Sequence, residues 1–589
     1  MMIENLINDR RVVVFDIETD GLLDTVSTIF CIVCKEYPSK TTTVFRGDEC
    51  YKEFLEYVNT DTVLVGHNIL SYDLPVLSKL LKYKHPISKT LDTLLLSQLR
   101  FPLIETGHSL ASWGTRLNFP KMDQPLFTHL SEEMVEYCIR DVDLTYKVFD
   151  LLITDKMKKY SDDCVLREHR FRYLMDQQER TGFYFDLPYA TEFLAILTDK
   201  YLEIERNLQK IFPPTIIEMN SYWWEDDNGN LWKTKKEALD NGVKNVVPGK
   251  LKTKEIPFNP GSRQQIAERL IEKGWKPKEK TEKGNIIVNE TVLESVDIPE
   301  AQAIKEYLLL QKRVAQVKSW IKFCDPVTSR VHGRVMTLGT VSTRCSHNDP
   351  NVAQTPASYS PYGKECRTCW TVENKKDYRL LGCDASQLEL RILAHYMKDE
   401  DYIKEILHGD IHTANQRMAG LETRDQAKTF IYALIYGAGP AKIASIIGQS
   451  KAKGKLIRDK FLSNVPSLNK VLTSVNDCAT RTGRLRGLDG RYLQVRSLHA
   501  ALNVLIQGGG AIVCKEWLIQ IMKEVYRLKI DARPVANIHD EIQFEVHKDQ
   551  ADILGEVTKT AMKNVESVLN LNCPLDSDFK IGYTWAETH

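Results

Sequence analysis

The chain has 589 residues, more than one hydrophobic core holds, since domains stop growing near about 250 residues; three to four packing units are expected. Apolar residues are 43% and charged residues 27%, which excludes a fibrous or disordered chain. Lys+Arg and Asp+Glu both number 79, so a nucleic-acid partner has to be held by local basic patches rather than by net charge. The 13 cysteines are an odd, scattered set, which fits reduced thiols better than a disulfide framework. Two CxxC pairs occur, Cys31/Cys34 and Cys366/Cys369, but they are too far apart in sequence to argue for a shared zinc site. No cleavable apolar segment opens the chain and no apolar run approaches the ~20 residues needed to span a bilayer, so a soluble cytoplasmic protein is expected.

Taken in order, residues 11–160 alternate short apolar runs (Val12 to Phe15, Thr62 to Val65) with helical stretches such as Ser131 to Leu152, an α/β pattern. A long helix is predicted from Tyr189 to Ile211, after the turn-like Arg180-Thr181-Gly182. Residues 213–257 are polar and punctuated by Asn-Gly and Pro-Gly, which marks an inserted loop or hairpin region. Beyond Phe258-Asn259-Pro260 helices return, with lysines at 273, 276, 278, 280 and 283 around Trp275, and helices and short strands mix to the end.

Asp16 and Glu18 sit two apart at the end of the run VVVFDIETDGL, so on a strand both carboxylates leave one face. A D-x-E pair alone is common. It gains company from Asn68 and Asp73 in GHNILSYDLPVL, and from Tyr137 and Asp141, one helical turn apart in EYCIRDVDL. His67 beside the second segment fits a packed neighbour as well as a site residue. Together the three segments resemble the DEDD exonuclease superfamily, in the subclass whose third motif is Tyr-x-x-x-Asp. The resemblance implies a ribonuclease H-like α/β domain using two Mg²⁺ ions, which needs several carboxylates converging from separate elements. It implies Asp16, Glu18 and Asp141 on the first metal, Asp73 supporting the second, and Tyr137 orienting the attacking water.

Further on, Asp384 follows a strand-like run in LLGCDASQLELRILAHYMKD, with Glu389, Arg391 and His395 behind it at helical spacing. His539, Asp540 and Glu541 fall between two apolar runs in VANIHDEIQFEV, a hairpin with acids at its tip. Between them, Arg424, Lys428, Tyr432 and Tyr436 recur every four residues and share one helix face, two cations followed by two rings. That face suits a nucleoside triphosphate, although the helix alone also fits a solvated basic face leading into core tyrosines.

In this order the three segments resemble motifs A, B and C of family A DNA polymerases. With STRCSHNDPNVAQTP, GDIHTANQ and HAALNVLIQGGGAIVCK, the chain is similar to the short replicative polymerases of lytic bacteriophages from about residue 10 to the C-terminal WAETH. The resemblance implies an exonuclease domain over 1–160, a thumb over 161–330 with an insertion near 213–257, a palm from 331–400 and 500–589, and fingers over 401–499, the polymerase part forming an α+β right hand. It implies template-directed DNA synthesis with 3′→5′ proofreading, replicating a phage genome in the host bacterial cytoplasm.

By the same resemblance Asp384 and Asp540 hold two Mg²⁺ ions, with Mn²⁺ able to substitute, and Glu541 is nearby but not an essential ligand. Arg424, Lys428 and His412 grip the triphosphate, and Lys428 can protonate the leaving pyrophosphate. Glu389, near Tyr432, excludes a ribose 2′-hydroxyl, and Tyr436 stacks near the templating base. Arg344, Asn351, Gln354, Asn503, Gln507 and His539 line primer-template DNA. Ser342-Thr343-Arg344 departs from the family's Thr-Gly-Arg, which puts the glycine's backbone role in question. The expected partners are primer-template DNA, dNTPs and a replicative helicase-primase, with no membrane. Some phage relatives carry a longer insertion that binds thioredoxin, and the shorter segment here argues against that dependence. A repair polymerase would be expected to carry a degenerate exonuclease or a 5′-nuclease, a non-catalytic scaffold would lack the acids, and an RNA polymerase or reverse transcriptase is disfavoured by Glu389 and the linked exonuclease.

Overall fold

The computed structural model describes residue 7 and residues 10–47, 50–154, 162–277, 280–281 and 283–589; Lys278, among the lysines noted above, lies outside them. The chain divides into two compact units, one of residues 1–185 with 325–589 and the other of residues 186–324.

In the first unit, strands β1 (Val12–Thr19), β2 (Ile29–Tyr37), β3 (Thr42–Arg46), β4 (Val63–Gly66) and β5 (Thr90–Asp92) form one sheet in the order β3-β2-β1-β4-β5. β1 runs antiparallel to β2 and parallel to β4, and β4 is parallel to β5. Both faces of this sheet are covered, so β1 reads as a nearly unbroken apolar run. Val12 and Val14 pack under helix α1 (Glu132–Thr154), while Val13, Phe15 and Ile17 pack on the other face with Phe54, Val76 and Leu77. Cys31 belongs to the first of these layers and Cys34 to the second. The three-residue spacing puts the two thiols on opposite faces of β2, so this CxxC cannot clasp one ion.

Helix α2 (Asp162–Thr181), grouped with the thumb by sequence, belongs to the first unit. A second sheet of that unit, in the stretches expected to form the palm, pairs β9 (Tyr378–Ala385), β10 (Ala532–Ile538), β11 (Glu541–His547) and β12 (Ser577–Gly582), all antiparallel in the order β10-β11-β9-β12. Strands β6 (Thr215–Asp226), β7 (Leu231–Trp232) and β8 (Val246–Ile256) form a three-stranded sheet of the second unit, so of the two readings of the polar segment near 213–257 it is the hairpin that forms. Helices Leu187–Ile211 and Pro299–Phe323 pack together in the same unit.

The four-stranded sheet packs on helix Ala551–Leu569, which packs in turn on helix Ala501–Leu528, apolar on nearly all sides. The stretch Leu498–Leu528 is long and apolar enough to cross a membrane, contrary to the expectation from sequence, but 89% of its most apolar window is buried inside the fold. It is the core helix of the palm. Gly509 lets it approach its neighbours, because a Cβ there would lie 2.7 Å from the Ile392 side chain.

Candidate active sites

The first carboxylate cluster is assembled by β1, the start of helix Asp73–Leu81, and α1. Asp16 and Glu18 leave the β1 face that α1 covers, and α1 presents Tyr137, Cys138 and Asp141 to it. Oxygens of Asp16 and Glu18 and the Cys138 sulfur lie within 4.8 Å of one another. Burial and the charge of Asp141 push Asp16 up to about 7, and burial and Asp16 push Glu18 up to about 10. Asp73 is held well above its usual value by burial and by Asp16. One oxygen each of Asp73 and Asp141 is buried without a partner. Four crowded acids with orphaned oxygens are a donor set that a hard divalent cation completes.

Neighbouring groups fix this geometry. The backbone N–H groups of Asn68, Leu70 and Leu94 donate to the buried Asp92 carboxylate, pinning the loop that delivers Asp73. His67 Nδ1 lies 2.9 Å from the Thr93 hydroxyl, and burial pushes its imidazole down to about 4, the signature of a packed neutral histidine. Lys121, which no sequence pattern singled out, places Nζ 2.5 Å from Asp141 Oδ2 and 4.8 Å from the Tyr137 ring centre.

The second cluster lies on the palm sheet. The His539-Asp540 pair is the two-residue turn between β10 and β11, and His539 has φ 58°, the left-handed conformation such hairpin turns require. Asp384, on the adjacent strand, pairs with Glu541 in register, and the Ala385 N–H donates to the Asp540 carbonyl at 3.0 Å. Burial and the charge of Asp540 push Asp384 up to about 7. Asp578, across β9 from Asp384, adds a further acid that sequence reasoning missed.

Glu541 is spoken for. Its Oε1 accepts from Gln543 at 2.7 Å and from the Trp585 ring at 2.5 Å, and its Oε2 lies 3.0 Å from His589 and 3.5 Å from Arg367. Burial alone would raise its pKa, yet bonds from His589 and Trp585 and the nearby Arg367 hold it below the usual carboxylate range. Arg367 and the C-terminal segment have no pattern linking them to Glu541 in sequence; only the fold joins them.

Helix Arg424–Ile435 starts on a capping box of Thr423 and Gln426 and buries Ala427, Phe430, Ile431 and Leu434. Arg424 and Lys428 stand exposed on the opposite side, Tyr432 is half-buried and Tyr436 caps the C-terminal end. Arg424 pairs with Asp410 at 2.6 Å, and the ring centres of His412 and Tyr432 are 6.2 Å apart. His412 is buried with an unpartnered Nδ1. The Tyr436 hydroxyl donates to Glu389 at 2.8 Å, and Glu389 also receives Arg344 at 3.0 Å. Glu389 thus meets Tyr436 by hydrogen bond, and Tyr432 only through space, where its charge and burial raise the phenol's pKa.

Arg344 and His539 line one small cavity with Phe171, Ala511 and Asn537. Asn537, buried with an unpartnered amide nitrogen, is a polar group that the sequence did not single out. Asn503 and Gln507 lie one turn apart on the palm's core helix, with Asn503 Oδ1 buried and unpartnered. Asn351 starts the short turn of helix Val352–Gln354 with its own Oδ1 unpartnered, and Gln354 is exposed.

A family model described as DNA polymerase family A matches residues 230–587, and one described as RNase_H superfamily matches residues 13–112. The DNA-directed DNA polymerases of Enterobacteria phage T3 and Escherichia phage T7 are each 33% identical to this chain, with 98% of this chain and 100% of the relative aligned. DNA polymerase I, thermostable, of Thermus aquaticus is 28% identical over 56% of this chain and 42% of its own length. The solved structure of the POL domain of Pol1 from M. smegmatis, in complex with DNA primer-template and dNTP, superposes with a TM-score of 0.79 at 18% identity, covering 100% of this chain and 97% of that one. With palm acids, fingers-type helix and N-terminal α/β domain all in place, the chain belongs to DNA polymerase family A.

Proposed function

We propose that this DNA-directed DNA polymerase extends primer 3′ ends at the Asp384–Asp540 cluster and removes 3′-terminal nucleotides at the Asp16–Asp141 cluster. The observation that carries the reading is the pairing of two separate crowded carboxylate sites, each with acids pushed up towards neutrality or beyond by burial and by mutual repulsion. Both donor sets fit Mg²⁺, with Asp384 and Asp540 at one and Asp16, Glu18, Asp73 and Asp141 at the other. Bound divalent ions would activate the attacking oxygen and neutralise the leaving one.

The chain's own residues do the rest. Arg424, Lys428 and His412 on the fingers side bind the triphosphate, where positive charge offsets what grows on the leaving pyrophosphate. Glu389, clamped by Arg344 and Tyr436, is a fixed wall beside the sugar, and Tyr432 lies beside the incoming nucleotide. Arg344, Asn351, Gln354, Asn503, Gln507 and His539 supply donors and acceptors to the duplex, read by shape and by positions common to correct pairs. The alignment with the phage T7 relative spans 707 positions against the 589 residues here, so that relative carries segments this chain lacks. Together with the shorter segment at residues 213–257, that length difference favours synthesis without a thioredoxin-type clamp, and a replicative helicase-primase is the partner proposed beside it.

The test is extension of a labelled primer on a long single-stranded template with Mg²⁺. Asp540→Ala should abolish dNTP incorporation and keep single-strand digestion, and Asp16→Ala with Glu18→Ala should do the reverse. Loss of both activities from either change would overturn the two-site reading.

A further inference from the structure

Lys121 is the one cation among the described residues that forms an ion pair with the N-terminal carboxylate cluster, and it arrives from a segment, Asn118 to Leu130, that carries none of the cluster's four acids. Its ammonium holds Asp141 Oδ2 at 2.5 Å, while Asp141 Oδ1 is buried and without a partner. The two oxygens of one carboxylate are therefore unequal: one is occupied by a tethered cation and the other is left without a partner. The same ammonium lies 4.8 Å from the centre of the Tyr137 ring.

We propose that Lys121 is a positioning residue of the hydrolytic site, restricting Asp141 to one metal-facing oxygen and keeping a fixed positive charge beside the Tyr137 ring. The inference rests on the exonuclease reading of this cluster. In the reaction a water oxygen bonds to phosphorus and the bond from phosphorus to the 3′-oxygen of the preceding nucleotide breaks. One water proton stays on the released 5′-monophosphate and the other reaches the 3′-oxygen through solvent. Lys121 takes no proton in this scheme; its fixed charge and its ion pair with Asp141 set the carboxylate's direction before the water attacks.

A purely structural lysine predicts something different from a positioning one. If Lys121 merely held α1 in place, its loss would disorder Asp141 and weaken metal binding together with turnover. If it withholds Oδ2, its loss frees that oxygen to join a divalent ion, which then binds more tightly in a geometry that turns over less well.

The experiment compares the full-length wild type, Lys121→Met and Lys121→Arg. Single-turnover digestion of a single-stranded oligonucleotide with Mg²⁺ and no dNTPs gives the rate, and electron paramagnetic resonance of added Mn²⁺ gives metal affinity. Asp384→Asn with Asp540→Asn in every background leaves the N-terminal cluster as the site observed, and calorimetry of the same proteins checks that each folds. For Lys121→Met the expected result is a fall in the cleavage step of about 10²-fold with substrate KM within about threefold, accompanied by Mn²⁺ binding several-fold tighter. Lys121→Arg, which keeps the charge beside Asp141, should recover at least a tenth of the wild-type rate. Weaker Mn²⁺ binding with lost activity, or an unchanged rate, overturns the proposal. A wild type that digests nothing, alongside an equally silent Asp16→Ala, Glu18→Ala control, would instead sink the exonuclease reading itself.

Discussion

Thr343 adopts φ 60°, a left-handed conformation in which a β-branched residue is a strained outlier, and it does so at the position where the resembled Thr-Gly-Arg motif has glycine. The strain is offset locally: the Thr343 N–H donates to the Thr340 carbonyl at 2.9 Å and its hydroxyl accepts from Arg491 at 3.2 Å. The departure noted in the sequence therefore preserves the turn's backbone while adding a side-chain bond, and Arg344 still reaches Glu389. The acids give the residue scale its pH dependence. Asp16 titrates near 7 in the folded protein against about 3.9 when unfolded, so between those values the native state holds the extra proton. Without metal, stability therefore falls as pH rises from about 4 through 7 and levels off above. Asp16→Asn removes the repelled charge. It should raise the thermal midpoint of the metal-free protein at pH 8 by about 2–4 °C for each kcal/mol relieved, and leave it unchanged near pH 4. Differential scanning calorimetry in chelator measures both, and an equal shift at the two pH values would contradict the electrostatic origin of the Asp16 shift.

At the scale of elements, the fingers-type helix is delivered by how it stops. Tyr436 caps it, and the next residue, Gly437, has φ 80°; a Cβ there would lie 1.9 Å from the His499 carbonyl oxygen. That carbonyl sits just before helix Ala501–Leu528, so the glycine is where the end of helix Arg424–Ile435 and the N-terminal end of that helix touch. Gly437→Ala must push the two apart, and both the clash and the positive φ act against it. The expected outcome is a loss of about 2–4 kcal/mol in denaturant unfolding and a KM for dNTP raised at least tenfold, with single-strand digestion unchanged. Steady-state incorporation kinetics read the second effect; an unaltered KM would detach the helix terminus from nucleotide binding. The acid-bearing turn is held differently. His539-Asp540 needs only its two-residue hairpin, whose register is set by pairing from Ala532 to Ile538 against Glu541 to Val546.

Across the first unit as a whole, a buried ionic network ties the segment that follows the exonuclease-like domain to the palm. Arg167 and Glu168 of α2 reach Asp489, Glu516, Arg491 and Lys515 at 2.5–2.9 Å, and Arg491 and Glu168 have no exposed side-chain surface. Asp489 also binds Arg491 at 2.6 Å, so every charge in the network has an opposite neighbour. Breaking one member leaves the others buried and uncompensated, which costs far more than the intact pairs contribute. Glu168→Ala leaves Lys515 without a carboxylate partner and Arg491 with Asp489 alone, and should destabilise the protein by about 3–5 kcal/mol in guanidinium unfolding. Because α2 also receives Asp92 and Ser71 of the exonuclease-like domain, through His169 and Asp176, both activities should fall together on heating that variant. A variant that lost only one activity would show that the network serves one site alone.

The local chemistry was legible in the sequence wherever it depended on near neighbours. Strand alternation placed Asp16 and Glu18 on one face, helical spacing placed Tyr137 with Asp141 and aligned Arg424, Lys428, Tyr432 and Tyr436, and the short acidic tip between apolar runs marked the His539-Asp540 turn. Those patterns survive in one dimension because backbone periodicity fixes them within a few residues. What only the tertiary structure decided are the partners drawn from distant segments: Lys121 on Asp141, Arg367 and His589 on Glu541, Asn537 beside Arg344, and Arg491 between Glu168 and Asp489. Side-chain charge and hydrogen bonding act through space with no period along the chain. A lysine twenty residues from its carboxylate, or an arginine more than three hundred from its glutamate, becomes part of a site only once packing has brought the segments together.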